Sequence, residues 1–282
     1  KRLFGNLKER IAKRPADDGL AKIQTLVGQA RTADPELLLL DCGDTIQGTP
    51  LAYHQIRFAP SAVHPTIEAM NRMGYVSMTV GNHEFNFGRE VLAKTCSESR
   101  FPWLAANIVR KADGRPAFLP YLIKEVKGVR VAILGISTPG MPYWESPETI
   151  ADLDFLNPIE TAARYVALLR SQEHADVVIV AAHMGLDEDL SEAPSPGQAS
   201  IPFENTCIAI ARDVPGIDLI FMGHTHREVP SLVIGHTLLS QPGRWGNRLS
   251  KAEIYLERAA AEQPWSVIAR GVTTIAPSEK TA

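Results

Sequence analysis

Six side chains in this 282-residue sequence could do metal chemistry, and each lies just past a run of apolar residues. They are Asp44 after Leu37–Cys42, Asn82 and His83 after Val76–Val80, His183 after Asp176–Ala182, and His224 and His226 after Ile217–Met222. One carboxylate, one amide oxygen and several imidazoles make a mixed nitrogen and oxygen donor set. Such a set suits Mn²⁺, Fe, Zn²⁺ or Co²⁺ better than Ca²⁺ or a thiolate-bound soft metal. A carboxylate has two oxygens and can bridge two cations. An Asn adds a neutral oxygen without overloading the site with negative charge. Neutral imidazoles hold metal while leaving net positive charge for an anionic substrate. His224 and His226, two apart on an irregular loop, can face two different metals, whereas on a regular strand they would share one side. Each residue alone reads as well as a turn residue or a satisfied polar group. Four such coincidences at four strand ends favour a site. His54, His64, His174 and His236 lack this context and read as structural or surface residues.

The elements that must position these residues alternate. Val76–Val80 reads as a strand feeding a turn, and Arg89–Ser99 as the helix leaving it, which puts Asn82 and His83 at the carboxyl end of a strand. Open α/β sheets bind ligands there. Gly81 and Gly88 let the chain bend on either side. Helices are expected over 19–33, with Asp17 or Asp18 as cap, and over 64–73, 158–170 and 204–213. Asn157 caps the third, with Pro158 at its first position. Leu37–Cys42 and Asp176–Ala182 are continuous apolar runs of the kind buried on both faces of a parallel sheet. Trp103–Asn107 reads as a further strand, and Tyr121–Val126 with Val129–Ile136 as a hairpin about Lys127-Gly128. After His226 the chain turns to short strands, Leu232–Ile234 and Lys251–Leu256, with turns at Pro242-Gly243 and Gly246-Asn247. One more strand, Trp265–Ala269, precedes a loose tail. The alternation implies an α/β fold with at least one mixed sheet.

Composition sets broad bounds. With 45% hydrophobic and 22% charged residues the chain reads as an ordinary globular protein. A formal net charge of -3 gives no reason to expect a nucleic-acid polymer as partner. Cys42, Cys96 and Cys207 match no zinc or redox spacing. No apolar run approaches the length of a membrane span. The organisation expected is a basic leader or truncated first element over 1–18, a catalytic domain over 19–257, and a terminal strand and linker over 258–282.

The set Gly43-Asp44, Gly81-Asn82-His83-Glu84, His183 and Gly223-His224-Thr225-His226 resembles the calcineurin-like metallophosphoesterase superfamily. The longer runs LLLLDCGDTIQGTPLA, VGNHEFNFG, FPWLAAN, VPGIDLIFMGHTH and QPGRWGNRL are similar to the amino-terminal domain of the 5′-nucleotidase and 2′,3′-cyclic-nucleotide 2′-phosphodiesterase family. That resemblance implies a four-layer αββα sandwich of two mixed β-sheets flanked by helices. It implies two divalent metal ions (Mn, Zn, Fe or Co), with Asp44 bridging them. Asn82, His183 and His224 complete one metal, and His226 binds the other. His83 is then no ligand but faces the substrate, and a hydroxide held between the metals attacks phosphorus. The implied substrate is a small nucleotide, bound with the help of a carboxyl-terminal domain. The resemblance also points to a periplasmic or extracellular location, on which the amino terminus is uninformative.

Two departures from the family pattern stand out. The family's first motif, Asp-x-His, supplies the remaining ligands of the His226 metal, and its nearest counterpart here is Arg2-Leu3-Phe4. Either the first strand lies upstream, which the lack of an initiator Met favours, or the motif is degenerate. Without it the second metal is expected to be weakly held and hydrolysis poor. Asn86 stands where nucleotidases often carry an Asp that supports His83. An Asn orients the ring without adding charge, which tilts the expectation toward 2′,3′-cyclic nucleotides. Arg244 and Trp245 read as a structural stack. The alternatives are hydrolysis of another anionic ester on the same fold, thiosulfate-linked substrates included, or a non-catalytic anion- or metal-binding module.

Overall fold

The computed structural model describes residues 19–187, 201–260 and 262–277. The expected leader over 1–18, with Arg2-Leu3-Phe4 and the candidate caps Asp17 and Asp18, lies outside them. Helix α1 (Leu20–Ala33) starts from Gly19, which caps it without a side-chain bond. Strand β1 (Leu40–Asp41) is shorter than its apolar run. Helices α2 (Pro50–Phe58) and α3 (Pro65–Met73) follow, then β2 (Ser77–Thr79) and a single 3₁₀ turn, His83–Phe85. Next come α4 (Arg89–Glu98), β3 (Trp103–Leu104), β4 (Ile108–Arg110) and the hairpin β5 (Tyr121–Val126) and β6 (Val129–Ser137). The middle of the chain adds α5 (Met141–Trp144), β7 (Leu153–Phe155), α6 (Pro158–Ser171) and β8 (Val177–His183). The remainder is α7 (Cys207–Asp213), β9 (Leu219–Met222), β10 (Glu228–Ile234), β11 (Thr237–Pro242), β12 (Leu249–Glu257) and β13 (Ser266–Ile275).

A six-stranded sheet runs β10-β11-β9-β8-β6-β5. Its four inner strands are parallel and both edge strands antiparallel, so the sheet is mixed. Strands β1, β2 and β3 form a parallel sheet, and β12–β13 and β4–β7 are antiparallel pairs.

Strand alternation decides which layer each side chain meets. On β8, Val178, Val180 and Ala182 pack with Ala162, Val166 and Leu169 of α6 and Ile210 of α7. Val177 and Ile179 point the other way, toward Ala252, Ile254 and Val267 of the β12–β13 pair. Ala181 packs with Leu104 of β3 and Leu40 of β1. His183, two residues beyond Ala181, therefore projects between the sheets. The outer face of the three-stranded sheet is covered by Ile67 and Met70 of α3 and Leu92 of α4, packed on Met78. The order of layers is helix, sheet, sheet, helix, the sandwich that the family resemblance implies.

Several elements differ from expectation: α2, α5, β4, β7 and β11 have no counterpart among the expected elements, and others start or end elsewhere. Helix α2 has a clear start, since Thr49 Oγ1 accepts from the Ala52 amide at 3.1 Å and Pro50 follows the cap. The helix expected over 204–213 begins only at Cys207, because Glu204 is turned toward His224. The last strand extends to Ile275, paired along β12 from Leu249 to Glu257, where a loose tail is expected.

Candidate metal centre

Two loops from the three-stranded sheet and two from the six-stranded sheet converge. Gly43 and Asp44 both adopt left-handed backbone, φ 96° and 63°. A Cβ on Gly43 would stand 2.7 Å from both His183 Nδ1 and the Thr79 carbonyl, so glycine is required there. Asp44 Oδ1 accepts from the His83 amide at 2.8 Å, which ties its loop to the Asn82-His83 turn. Glu84, fully buried, ties them further by accepting from the amides of Gly81 (2.7 Å), Asp44 (2.9 Å) and Thr45 (2.6 Å). Burial, with the Asp44 charge beside it, pushes the Glu84 carboxyl up to about 7.

The second pair comes from the other sheet. His183 ends β8 and is fully buried. His224 and His226 both take left-handed backbone, φ 69° and 59°. Between them Thr225 is buried and donates to Gln241 Oε1 at 3.1 Å. This bend keeps the two His side chains from sharing a direction.

The protons on the two inner rings follow from their outer partners. The Cys42 carbonyl can only accept, so His183 Nδ1 donates to it (2.6 Å) and Nε2 is left facing Asp44 Oδ2 at 3.1 Å and Asn82 Oδ1 at 3.0 Å. Glu204 likewise takes the proton of His224 Nε2 at 3.1 Å, leaving Nδ1 facing the same Asn82 Oδ1 at 3.1 Å. Four lone-pair atoms thus converge, Asp44 Oδ2, Asn82 Oδ1, His183 Nε2 and His224 Nδ1, with no proton donor of their own. A cation or an added proton reconciles them. Asp44, His183 and His224 offer ligand atoms within 4.8 Å of one another. The donor set therefore fits a borderline divalent metal. Without one, a proton takes its place. Burial opposes charge on His183, yet the Asp44 carboxylate against it raises the ring to about 9. Burial also opposes charge on Asp44, but His183 holds it well below the usual carboxylate range. His224, more than half desolvated and beside His183, is pushed down.

His83 stands apart from this group. Its ring is 41% exposed, with Nε2 4.0 Å from Asp44 Oδ2, while Nδ1 donates to Asn86 Oδ1. Next to it opens a cleft of about 810 Å³ lined by Thr49, Tyr53, His54, Phe87, Trp144 and Glu145. Trp144 closes one side of the centre, its ring 5.4 Å from that of His224. His226 lies at the rim, exposed, its ring 6.2 Å from Trp245, over which the Arg244 guanidinium stacks at 4.1 Å. Burial and the Arg244 charge lower the His226 pKa. Asp44, Asn82, His183 and His224 therefore come together, His83 and His226 flank them, and Asn86 supports His83. Among the other histidines, His64 is buried and bonds the Ile46 carbonyl, while His54 lines the cleft, a place its sequence context does not reveal.

Sequence reasoning passes over Glu84 as a brace, Glu204 as the orienting partner of His224, and Glu145 as the partner of Asn86. Glu84 sits inside the GNHE run and was within reach. Glu204 and Glu145 have no local signal, since each meets its partner only through the tertiary fold.

The chain is similar to bacterial nucleotide phosphoesterases. It is 30% identical over 273 residues to a 2′,3′-cyclic-nucleotide 2′-phosphodiesterase/3′-nucleotidase of Salmonella typhimurium, covering 88% of this chain and 40% of that protein. It is 34% identical over 227 residues to a 5′-nucleotidase of Vibrio cholerae, covering 76% of this chain and 38% of that protein. The chain thus spans about 40% of the length of these two relatives. The crystal structure of the calcineurin-like phosphoesterase YfkN from Bacillus subtilis superposes with a TM-score of 0.82 at 28% identity, covering 96% of this chain and 86% of that one. The family model for calcineurin-like phosphoesterases matches residues 16–228, which hold every residue of the centre, and to that family the chain belongs.

Proposed function

We propose that this chain is the catalytic domain of a divalent-metal-dependent nucleotide phosphoesterase, of the 2′,3′-cyclic-nucleotide 2′-phosphodiesterase and nucleotidase type. The observation that carries the reading is the convergence of four lone-pair atoms beside a His83 that does not join them. Asp44, Asn82, His183 and His224 would hold one metal ion, and Asp44 and His226 would contribute to a second. Bound there, divalent ions supply charge stabilisation for a phosphoryl group and a nucleophile at neutral pH.

The chain's own residues do the rest. The Cys42 carbonyl and Glu204 fix the ring orientations of His183 and His224, so the ligand nitrogens need no reorganisation. Asn82 contributes oxygen without charge, which leaves the centre attractive to a phosphate. His83, on a tight turn, sits beside the cleft that Asn86 lines, with Nε2 4.0 Å from Asp44 Oδ2. There the doubly protonated ring, its Nδ1–H held by Asn86, can hand its Nε2 proton to the leaving ribose oxygen, which as an alkoxide is a poor leaving group, and is left in the neutral Nδ1–H form. The aromatic cleft beside it suits the organic part of such an ester. The share of its relatives that the chain spans supports a further domain in the full-length protein as part of the proposal.

The test is an assay of the full-length protein with Mn²⁺, Zn²⁺, Fe²⁺ or Co²⁺ against 2′,3′-cyclic, 3′- and 5′-nucleotides. Turnover that is abolished by a chelator and restored by metal supports the proposal. Chelator-insensitive turnover, or none on any nucleotide with any of these metals, rejects it.

A further inference from the structure

We infer that Glu145 is a positioning residue that sets the Asn86 amide and, through it, the proton on the His83 ring. The inference rests on the proposed reading of His83 as the group that faces the leaving oxygen.

An Asn amide has two unlike ends, one accepting and one donating. Left to itself, Asn86 could offer either end to His83. Glu145 removes that freedom. Its carboxylate can only accept, and Asn86 Nδ2 donates to Glu145 Oε1. Asn86 Oδ1 is then turned toward His83 Nδ1, which must carry the proton of that bond. The Nδ1–H form of the neutral ring is selected, so Nε2 is the nitrogen that gains and gives up the second proton, on the side where Asp44 Oδ2 lies 4.0 Å away. The neutral amide also passes on part of the influence of an anion, since a donor polarised by a carboxylate has a stronger acceptor at its other end.

Glu145 is itself held. It follows α5, whose Met141 is fully buried, and its amide donates to the Met141 carbonyl at 2.9 Å. Trp144, just before it, packs on His224. The loop that carries Glu145 leaves the six-stranded sheet after β6, whereas Asn86 and His83 belong to the turn after β2. The contact spans 59 residues of sequence. One short segment thus touches both halves of the site, Trp144 on the metal side and Glu145 on the proton side.

The experiment uses the full-length protein and the variants Glu145→Ala, Glu145→Gln, Asn86→Asp and the double variant Asn86→Asp/Glu145→Gln. The readouts are ring ¹⁵N shifts of His83 in the zinc-loaded protein, metal content, and kcat and KM on a cyclic nucleotide and a nitrophenyl phosphodiester. Glu145→Ala is expected to keep its metal and to lower kcat by about 10- to 100-fold, less than the ~10²–10⁴-fold that general acid–base help supplies in full. The loss should be larger on the nucleotide than on the nitrophenyl ester. His83 should shift from the Nδ1–H form toward a mixture. Asn86→Asp alone sets two carboxylates against each other and should lose activity. The double variant restores one donor and one acceptor between the two positions and should regain both kcat and the Nδ1–H signature.

An unchanged ring signature and kcat in Glu145→Ala overturns the inference. So does an equal loss on both esters accompanied by lost metal, which marks a brace for the loop. If Glu145→Ala does not fold, the contrast between Glu145→Gln and the double variant decides in the same way. Should the parent protein turn over no phosphoester, the proposed function fails, and the ring signature still tests Glu145.

Discussion

His83 and Asn82 are neighbours on one turn, yet their side chains do different work. The Asn82 oxygen points at two imidazole nitrogens, while the His83 ring turns outward to Asn86. Replacement of His83 by Asn should therefore leave metal content intact and lower turnover by roughly 10²–10⁴-fold. The loss should be larger for a ribose leaving group than for nitrophenolate, which leaves without a proton. Elemental analysis beside the two rate measurements checks this, and a parallel loss of metal would make His83 a ligand. Glu204 makes the complementary case. It holds the Nε2 proton of His224 at 3.1 Å and touches no other ligand atom among the described contacts. Glu204→Ala should weaken metal binding by about 10- to 100-fold. A titration showing unchanged affinity would remove Glu204 from the site. That Asp44, Asn82, His183 and His224 meet at one centre was legible because each follows an apolar run with a bend. Glu204, Glu145 and the Cys42 carbonyl were not, because what they do is decided by contacts distant in sequence.

The elements act chiefly by keeping two sheets at a fixed distance, and Gly135 sits at a close approach between them. A Cβ on this β6 residue would come 2.3 Å from Leu104 Cβ and 2.7 Å from its carbonyl carbon, on the facing strand β3. Its backbone angle is ordinary, so Ala there is a purely steric probe. Gly135→Ala should force the sheets apart and destabilise the fold by about 1–3 kcal/mol. It should also loosen the centre, since Ser137 Oγ donates to the Val80 carbonyl at 2.6 Å and Thr79 Oγ1 to the Ala181 carbonyl at 2.9 Å across the same gap. Denaturant unfolding with and without metal checks both effects, and an unchanged midpoint would show that the interface yields elsewhere. Legibility at this scale varied with the kind of signal. Helix α6 was readable from Asn157-Pro158, and Asn157 Oδ1 does accept from Ile159 (2.9 Å) and Glu160 (3.3 Å). Helix α2 carries a similar Thr49-Pro50 start but mixes aromatic and polar residues, so no apolar stripe announced it. The register of β8 needed the structure, because a run apolar on both faces does not say which face holds His183.

At the scale of the whole molecule the centre is a seam. Asp44 and Asn82 arrive from the three-stranded sheet, and His183 and His224 from the six-stranded sheet, so whatever cation they share joins the two layers. A ligand that binds only the folded state adds stability as RT ln(1 + [L]/Kd). In the chelated protein a proton on His183 does that joining against Asp44. The His183 pKa rises from the ordinary 6.5 to about 9. A raised pKa contributes stability that is fully present below 6.5 and is lost as pH climbs through about 9. The whole contribution is roughly 3 kcal/mol. Metal displaces this proton, so the loaded protein is spared the loss. The gap in melting temperature between loaded and chelated protein should therefore widen from roughly pH 7.5 to roughly pH 9.5. That window lies above Glu84, which titrates at about 7 and would otherwise add its own change. Across the lower part of the window metal binding should release one proton, seen as a buffer-dependent heat in calorimetry. Past pH 9 the release should vanish and the affinity level off. A gap that is constant or narrows over this range, or binding without proton release at pH 7.5, would mean that the cation does not take the place of the His183 proton between the sheets.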